Sequence, residues 1–469
     1  MRVDDRKEAM DRVEGQTGNP RGRDDMLQRM SMVALQAGLA LMAMVSLHPY
    51  LIWTGQKPAY GIATLVILAS LGVGFRRLSF TRERLVLSVA FSLFLIYLSC
   101  LPKVHGGFTR WFLLIPFTVA LIHLRSEHLR TVFNLFHWTF ALSLVPGIAL
   151  WLWAISGLPL ELRFLTPPVE ITQRGVTEYL ELPGAIFMLS NGIVLPNGGV
   201  LFRLCGMYDE PGTVGTIAAL CLAATRFRIG DVKGAISFAA GLMSLSVAFS
   251  ILTTLGLLAT ALHAKRPYLL AAALLSLGTG LLPLSGFKFA DPPPSNLTIL
   301  SYPSAQAAAG GEGTASRERF EPYPTWRLRN SEGLDNRAQP WMRRLLTDYA
   351  AAPVPSILFG IASDASLVLG WGSSVWYRVL TDFGIVGLAW LMFLFSYPLL
   401  VLWRERRLDA PVMIASALFL MSFYQRPIIW LPAQFLIYLA GVFAAWPRAA
   451  TAQAQSVTPA RPAEDGRVV

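Results

Sequence analysis

Read for the alternation of apolar and polar positions, the chain resolves into long greasy runs separated by short polar punctuation. A helix crossing the hydrocarbon core of a bilayer needs roughly 17 to 25 mostly apolar residues. That ruler gives about twelve candidate spans, at approximately 30–48, 58–75, 85–101, 108–124, 132–155, 211–227, 232–247, 249–263, 267–284, 379–403, 410–425 and 428–446. The stretch from Gly234 to Leu262 is ambiguous by length. It reads as one long tilted helix or, preferably, as two short ones meeting near SLSVAFS.

Charge favours the split. Cytoplasmic loops carry excess Lys and Arg, and with two helices there the basic clusters fall on one side: Arg76, Arg77, Arg82 and Arg84; Arg125 and Arg130; Arg226, Arg228 and Lys233; Lys265 and Arg266; Arg404, Arg406 and Arg407. Both termini are then expected inside. The predicted fold class is all-α: a polytopic membrane protein with about 12 transmembrane helices and two long external loops. A charged tail (1–29) precedes the transmembrane domain (30–446), whose external loops cover about 156–204 and 285–378, and a small polar tail (447–469) follows; both tails are expected to be cytoplasmic and disordered.

Composition agrees with this reading. Of the 469 residues 54% are hydrophobic and 15% charged, with a mean hydropathy of +0.48, which excludes an ordinary soluble domain. The net charge of +11 lies in short clusters between apolar runs, so no nucleic-acid partner is expected. Cys100, Cys205 and Cys221 lack metal-ligand spacing and read as packing residues.

The two external loops differ in character. The second opens with DPPPSNLTILSYPSAQAAAGGEGTAS, which reads as a flexible lid or linker. It then becomes dense in arginine and aromatic residues. Arg163, Arg174 and Arg203 lie in the first loop, and Arg317, Arg319, Arg327, Arg329, Arg337, Arg343, Arg344 and Arg378 in the second. Most charged surface residues contribute little individually. Together these arginines favour an anionic ligand, because the guanidinium fork matches phosphate bidentately.

The stretch RLCGMYDEPGTVG, from Arg203, places an arginine and two acids directly before an apolar run. Asp209 and Glu210 there read as helix caps ahead of Pro211 at the first helical position. Glu210 reads equally as an acid at the outer mouth of the bundle, able to take a proton from a hydroxyl or to hold a basic partner. Arg378 and Asp382, four apart, share a helix face and read as a pair.

FRLCGMYDEPGTVG resembles the pattern around the sixth span of the O-antigen ligase and polymerase superfamily, which includes exopolysaccharide polymerases. RAQPWMRRLLTDYAAAPVPSILFGIAS is similar to that superfamily's external loop, with Arg337 and Trp341 on a helix and Gly360 following. SSVWYRVLTDFGIVGLAWLMFLF resembles its closing signature, a polar pair ending at Ser374 and then a helix containing Gly384 and Gly387. Where the ligase branch has a histidine, this chain has Gly372, which points toward the polymerases.

The resemblance implies a metal-independent, cofactor-free, inverting glycosyltransferase of the bacterial inner membrane, with its active site facing the periplasm. The implied partners are undecaprenyl-pyrophosphate-linked oligosaccharide, membrane lipids and, as a further candidate, a polysaccharide chain-length regulator. Glu210, Asp209, Arg203 and Arg337 form the expected catalytic set. Arg327, Arg343, Arg344, Arg378, Trp341 and Ser374 are the expected substrate-binding residues. The alternatives are an O-antigen ligase and a lipid-linked glycan flippase or transporter. A transporter is expected to carry ionisable residues within its spans and often repeated halves, and neither is evident here.

Overall fold

A computed structural model describes residues 20–53, 55–74, 78–104, 106–165, 179–182, 184–188, 192–194, 200–281, 297–300, 349–363, 365, 377–424, 426 and 428–443. Five helices precede the first long loop: α1 (Pro20–Val45), α2 (Gln56–Gly74), α3 (Arg82–Cys100), α4 (Ile115–His123, entered through a 3-10 turn at Trp111–Leu114) and α5 (Ser126–Ile155). After it come α6 (Pro211–Ala224), α7 (Val232–Met243), α8 (Val247–Ala264) and α9 (Tyr268–Leu281). The carboxyl-terminal part holds α10 (Val354–Phe359), α11 (Tyr377–Arg404), α12 (Ala410–Ser422) and α13 (Pro432–Phe443).

Among the described residues, six helices are long and apolar enough to cross a membrane: Met26–Val45, Gln56–Gly74, Arg82–Cys100, Ser126–Ile155, Val247–Ala264 and Arg378–Arg404. Six more apolar helices match the remaining expected spans in position but have only 10–17 residues. At 1.5 Å per residue the 12-residue α7 reaches about 18 Å between its caps at Asp231 and Ser244, short of the roughly 30 Å hydrocarbon thickness. There the turn at Ser244 begins earlier than hydropathy alone indicates.

Burial differs from helix to helix. α6 is buried on nearly every side among α7, α8, α12 and α13. Its small residues let neighbours approach closely: a Cβ on Gly215 would lie 2.5 Å from Ser246 Cβ. In contrast, α2, α3, α8 and α9 expose large aliphatic side chains, among them Leu65, Val89, Leu262 and Leu274. Such faces suit lipid rather than water.

The stretch from Gly234 to Leu262 is two helices. They meet at Ser244–Ser246, where Leu245 adopts a left-handed φ of 46° and the Ser246 hydroxyl accepts from Phe249 N to start α8. Arg84, grouped above with loop cations, is instead buried. Its Nη1 donates to the carbonyls of Ile122 and Leu124 at 3.1 and 2.5 Å, serving the open C-terminal end of α4.

The all-α expectation needs one amendment. Within the first long loop lie β1 (Leu160–Leu165), β2 (Tyr179–Leu182), β3 (Ala185–Met188), β4 (Gly192–Val194) and β5 (Val200–Phe202), and β6 (Leu297–Leu300) lies in the second. A four-stranded sheet runs β3-β2-β1-β6, and β4 pairs with β5. β6 lies parallel to β1, with Leu160 opposite Leu297 and Arg163 opposite Leu300. The segment LTIL, read above as part of a flexible linker, is therefore a strand that ties the two long loops together. Backbone pairing satisfies polar groups that an isolated strand leaves open.

Candidate functional site

The segment from Arg203 to Glu210 is held along its whole length by backbone hydrogen bonds to other elements. Leu204 N donates to Met243 O at the end of α7 (3.0 Å), Ile186 N of β3 to Gly206 O (2.7 Å), and Tyr50 N to Met207 O (2.8 Å). The Tyr179 hydroxyl donates to the carbonyl of Asp209 at 2.6 Å, and Tyr208 and Ser143 share a hydroxyl–hydroxyl bond of 2.7 Å. Gly206 turns the chain at φ +59°, with its Cα against Gly147. A segment anchored from five sides holds its side chains in fixed positions.

Those side chains divide the work unexpectedly. Glu210 occupies the N-cap position of α6, with extended φ/ψ and Pro211 following, yet its carboxylate makes no capping bond. It reaches across the bundle instead and accepts from Arg426 Nη2 at 2.6 Å. Of the two readings of Glu210, the side chain takes that of a carboxylate holding a basic partner. Asp209 is 2% exposed and accepts from the Thr213 hydroxyl at 3.2 Å, so it stands behind Glu210 in the protein interior.

Arg203 is half-buried, and its Nε donates to Ser244 O at 3.2 Å. Among the described residues this is the guanidinium's one hydrogen bond, which leaves its terminal nitrogens available. Burial lowers the Arg203 pKa from its usual value, opposed by proximity to Cys205 and Glu210; the group remains cationic. Arg203 and Arg426 both act on Glu210, with the Asp209 carboxylate behind it, so the cluster holds two guanidiniums and two carboxylates. Guanidinium nitrogens that no carboxylate engages are complemented by an oxyanion.

Arg426 was not anticipated from the sequence. It sits in the short turn between α12 and α13, in FYQRPIIW, far in sequence from the arginine-rich long loops. The available signal was a lone cation in a short turn placed outside, against the orientation rule. Its backbone N donates to Ser422 O at 2.8 Å, and its Nε is buried with no hydrogen-bond partner among the described residues.

The same turn carries Trp430, which is 2% exposed and wedged edge-on against Phe94, Trp111 and Phe383, with ring centroids 5.6–5.8 Å apart. Trp430 thereby connects the Arg426 turn to the start of α11. There two glycines cross. α10 ends at Gly360 (φ 89°) and α11 breaks at Gly384 (φ 69°, ψ −177°). A Cβ on Gly360 would lie 2.2 Å from Asp382 O, and one on Gly384 2.3 Å from Leu358 O.

The crossing corrects the expectation of a continuous helix through Gly384 and Gly387. Carbonyls freed by the break find other donors: the Tyr97 hydroxyl lies 2.6 Å from Phe383 O and 3.0 Å from Phe359 O. Ile361 N donates to Thr381 O at 2.8 Å. The part of α11 after the kink, 385–404, is still about 30 Å long. Arg378, on the part before it, holds the fully buried Asp382 at 3.1 Å, which is the pairing read from their spacing.

The structure thus brings Arg203, Asp209 and Glu210 together with Arg426, and places Arg378 in a separate ion pair. Arg327, Arg337, Trp341, Arg343, Arg344 and Ser374 lie outside the described residues. Among the described residues no cluster of His, Cys, Asp and Glu could hold a metal ion. No family model, no curated protein and no solved structure matches the chain. Its class is defined by its own features: a mainly helical chain with, among the described residues, six helices long and apolar enough to cross a membrane, and a cluster of charged side chains at the start of α6.

Proposed function

We propose that the chain is a bacterial inner-membrane glycosyltransferase that joins undecaprenyl-pyrophosphate-linked repeat units on the periplasmic face, in O-antigen or exopolysaccharide synthesis. The observation that carries this reading is the Glu210–Arg426 pair beside Arg203. It supplies a carboxylate for an acceptor hydroxyl and cations for a departing diphosphate, in the segment that resembles the polymerase signature.

In this reaction the acceptor hydroxyl oxygen attacks the anomeric carbon, and the new glycosidic bond forms as the bond to the pyrophosphate oxygen breaks. The hydroxyl proton passes to Glu210. The carrier-lipid pyrophosphate leaves as an anion held by Arg203 and Arg426, and Arg337, Arg343 and Arg344 of the long loop are its further proposed contacts. Attack from the face opposite the leaving group inverts the anomeric centre. Glu210 must first release Arg426, and the arriving diphosphate provides the competing anion.

The lipid-linked glycans of a deletion strain test this reading. Single or very short repeats on the carrier are the expected result, and Glu210→Gln should lower polymer formation by about a hundredfold or more, the usual loss when a general base is removed. Full-length polymer accumulating on its carrier lipid would instead mark a ligase.

A further inference from the structure

A second candidate site lies at the Cys100 end of α3. The chain leaves that helix, turns back through Gly106 and Gly107 (φ 84° and 82°), and re-enters the bundle at Trp111. Between the helix end and the returning chain is an open groove of about 530 Å³. Ile96, Phe108 and Phe112 form its apolar walls, and Ser99, Thr109 and Arg110 its polar ones.

The polar wall has one unengaged group. Thr109 donates to Leu98 O (3.0 Å), and Ser99 donates to Leu95 O (2.8 Å) while accepting from Phe112 N (2.9 Å). The Arg110 guanidinium is exposed and has no hydrogen-bond or ion-pair partner among the described residues. Leading to the groove along α3 is an exposed stripe at helical spacing, Val86, Val89, Leu93 and Ile96. A continuous apolar track that ends at a free guanidinium fork complements a hydrocarbon chain carrying an anionic head.

We propose that this groove binds an anionic phospholipid, with a chain along the α3 stripe and the phosphate on Arg110. This site is independent of the glycosyl-transfer reading. A zwitterionic phospholipid offers the same chains and a phosphate whose charge its own ammonium offsets, so charge at Arg110 is what separates the two.

The protein carries its own probe. Cys100 lines the groove and is exposed, whereas Cys205 and Cys221 are buried, so a maleimide should report on Cys100 alone. In purified full-length protein in a neutral detergent, dioctanoyl phosphatidylglycerol should slow alkylation of Cys100 saturably. Its half-protecting concentration should be about tenfold below that of dioctanoyl phosphatidylcholine, in keeping with one charge-assisted contact. Arg110→Gln should bring the two lipids to the same concentration. Equal protection by both lipids in the wild type, or a preference that survives Arg110→Gln, overturns the proposal. If Arg110→Gln does not yield folded protein, salt decides: the wild-type preference should vanish at high ionic strength, and its persistence also overturns the proposal.

Discussion

Removing both partners of the Glu210–Arg426 pair should cost no more than removing the worse one alone. The bond is 2.6 Å, and the side chains are 29% and 19% exposed, so solvent screens it only partly. At an effective dielectric near 20, unit charges about 4 Å apart attract by roughly 4 kcal/mol, before desolvation is subtracted. A charge-assisted hydrogen bond of this kind nets about 1.5 to 3 kcal/mol. Glu210→Gln leaves a mostly buried guanidinium beside the cationic Arg203. Arg426→Met preserves the apolar stem but leaves the carboxylate without that cation. Each single variant should therefore lose about 1.5 to 3 kcal/mol, and the double variant no more than the worse single, a coupling of similar size. Thermal unfolding of the four proteins in one detergent, followed by tryptophan fluorescence, measures this as non-additive midpoints. Penalties that simply add would show that the two groups do not interact energetically, and would remove the pair as the centre of the site.

Two further predictions concern the start of α11. Gly384→Ala should abolish recovery of folded protein, because the new Cβ meets Leu358 O at 2.3 Å at a φ of +69° that disfavours a side chain; normal yield and a wild-type melting profile in size-exclusion-purified protein would contradict the crossing. Arg378→Met leaves Asp382 charged at 0% exposure and should destabilise by about 3 to 5 kcal/mol, with Arg378→Met/Asp382→Leu recovering much of that loss. Thermal midpoints that fall further in the double variant would argue that Asp382 has a role beyond neutralising Arg378.

Local pattern determined where the helices lie. Every apolar run predicted from the sequence contains a helix, and the split near Ser244 was legible because successive loops alternate sides while basic clusters stay on one, and a run has a fixed length per residue. The cap position at Glu210 and the pairing of Arg378 with Asp382 were legible for the same reason, since both depend on residues within one turn. What the tertiary structure decided are contacts between residues distant in the chain. Glu210 meets Arg426 across a sequence separation of 216, and nothing local to either residue signals that the carboxylate forgoes its cap. The parallel pairing of β1 with β6 likewise needs two loops more than a hundred residues apart to meet. The break at Gly384 exists because Gly360 crosses it at a distance that admits no Cβ, a constraint visible only once both backbones share the same space.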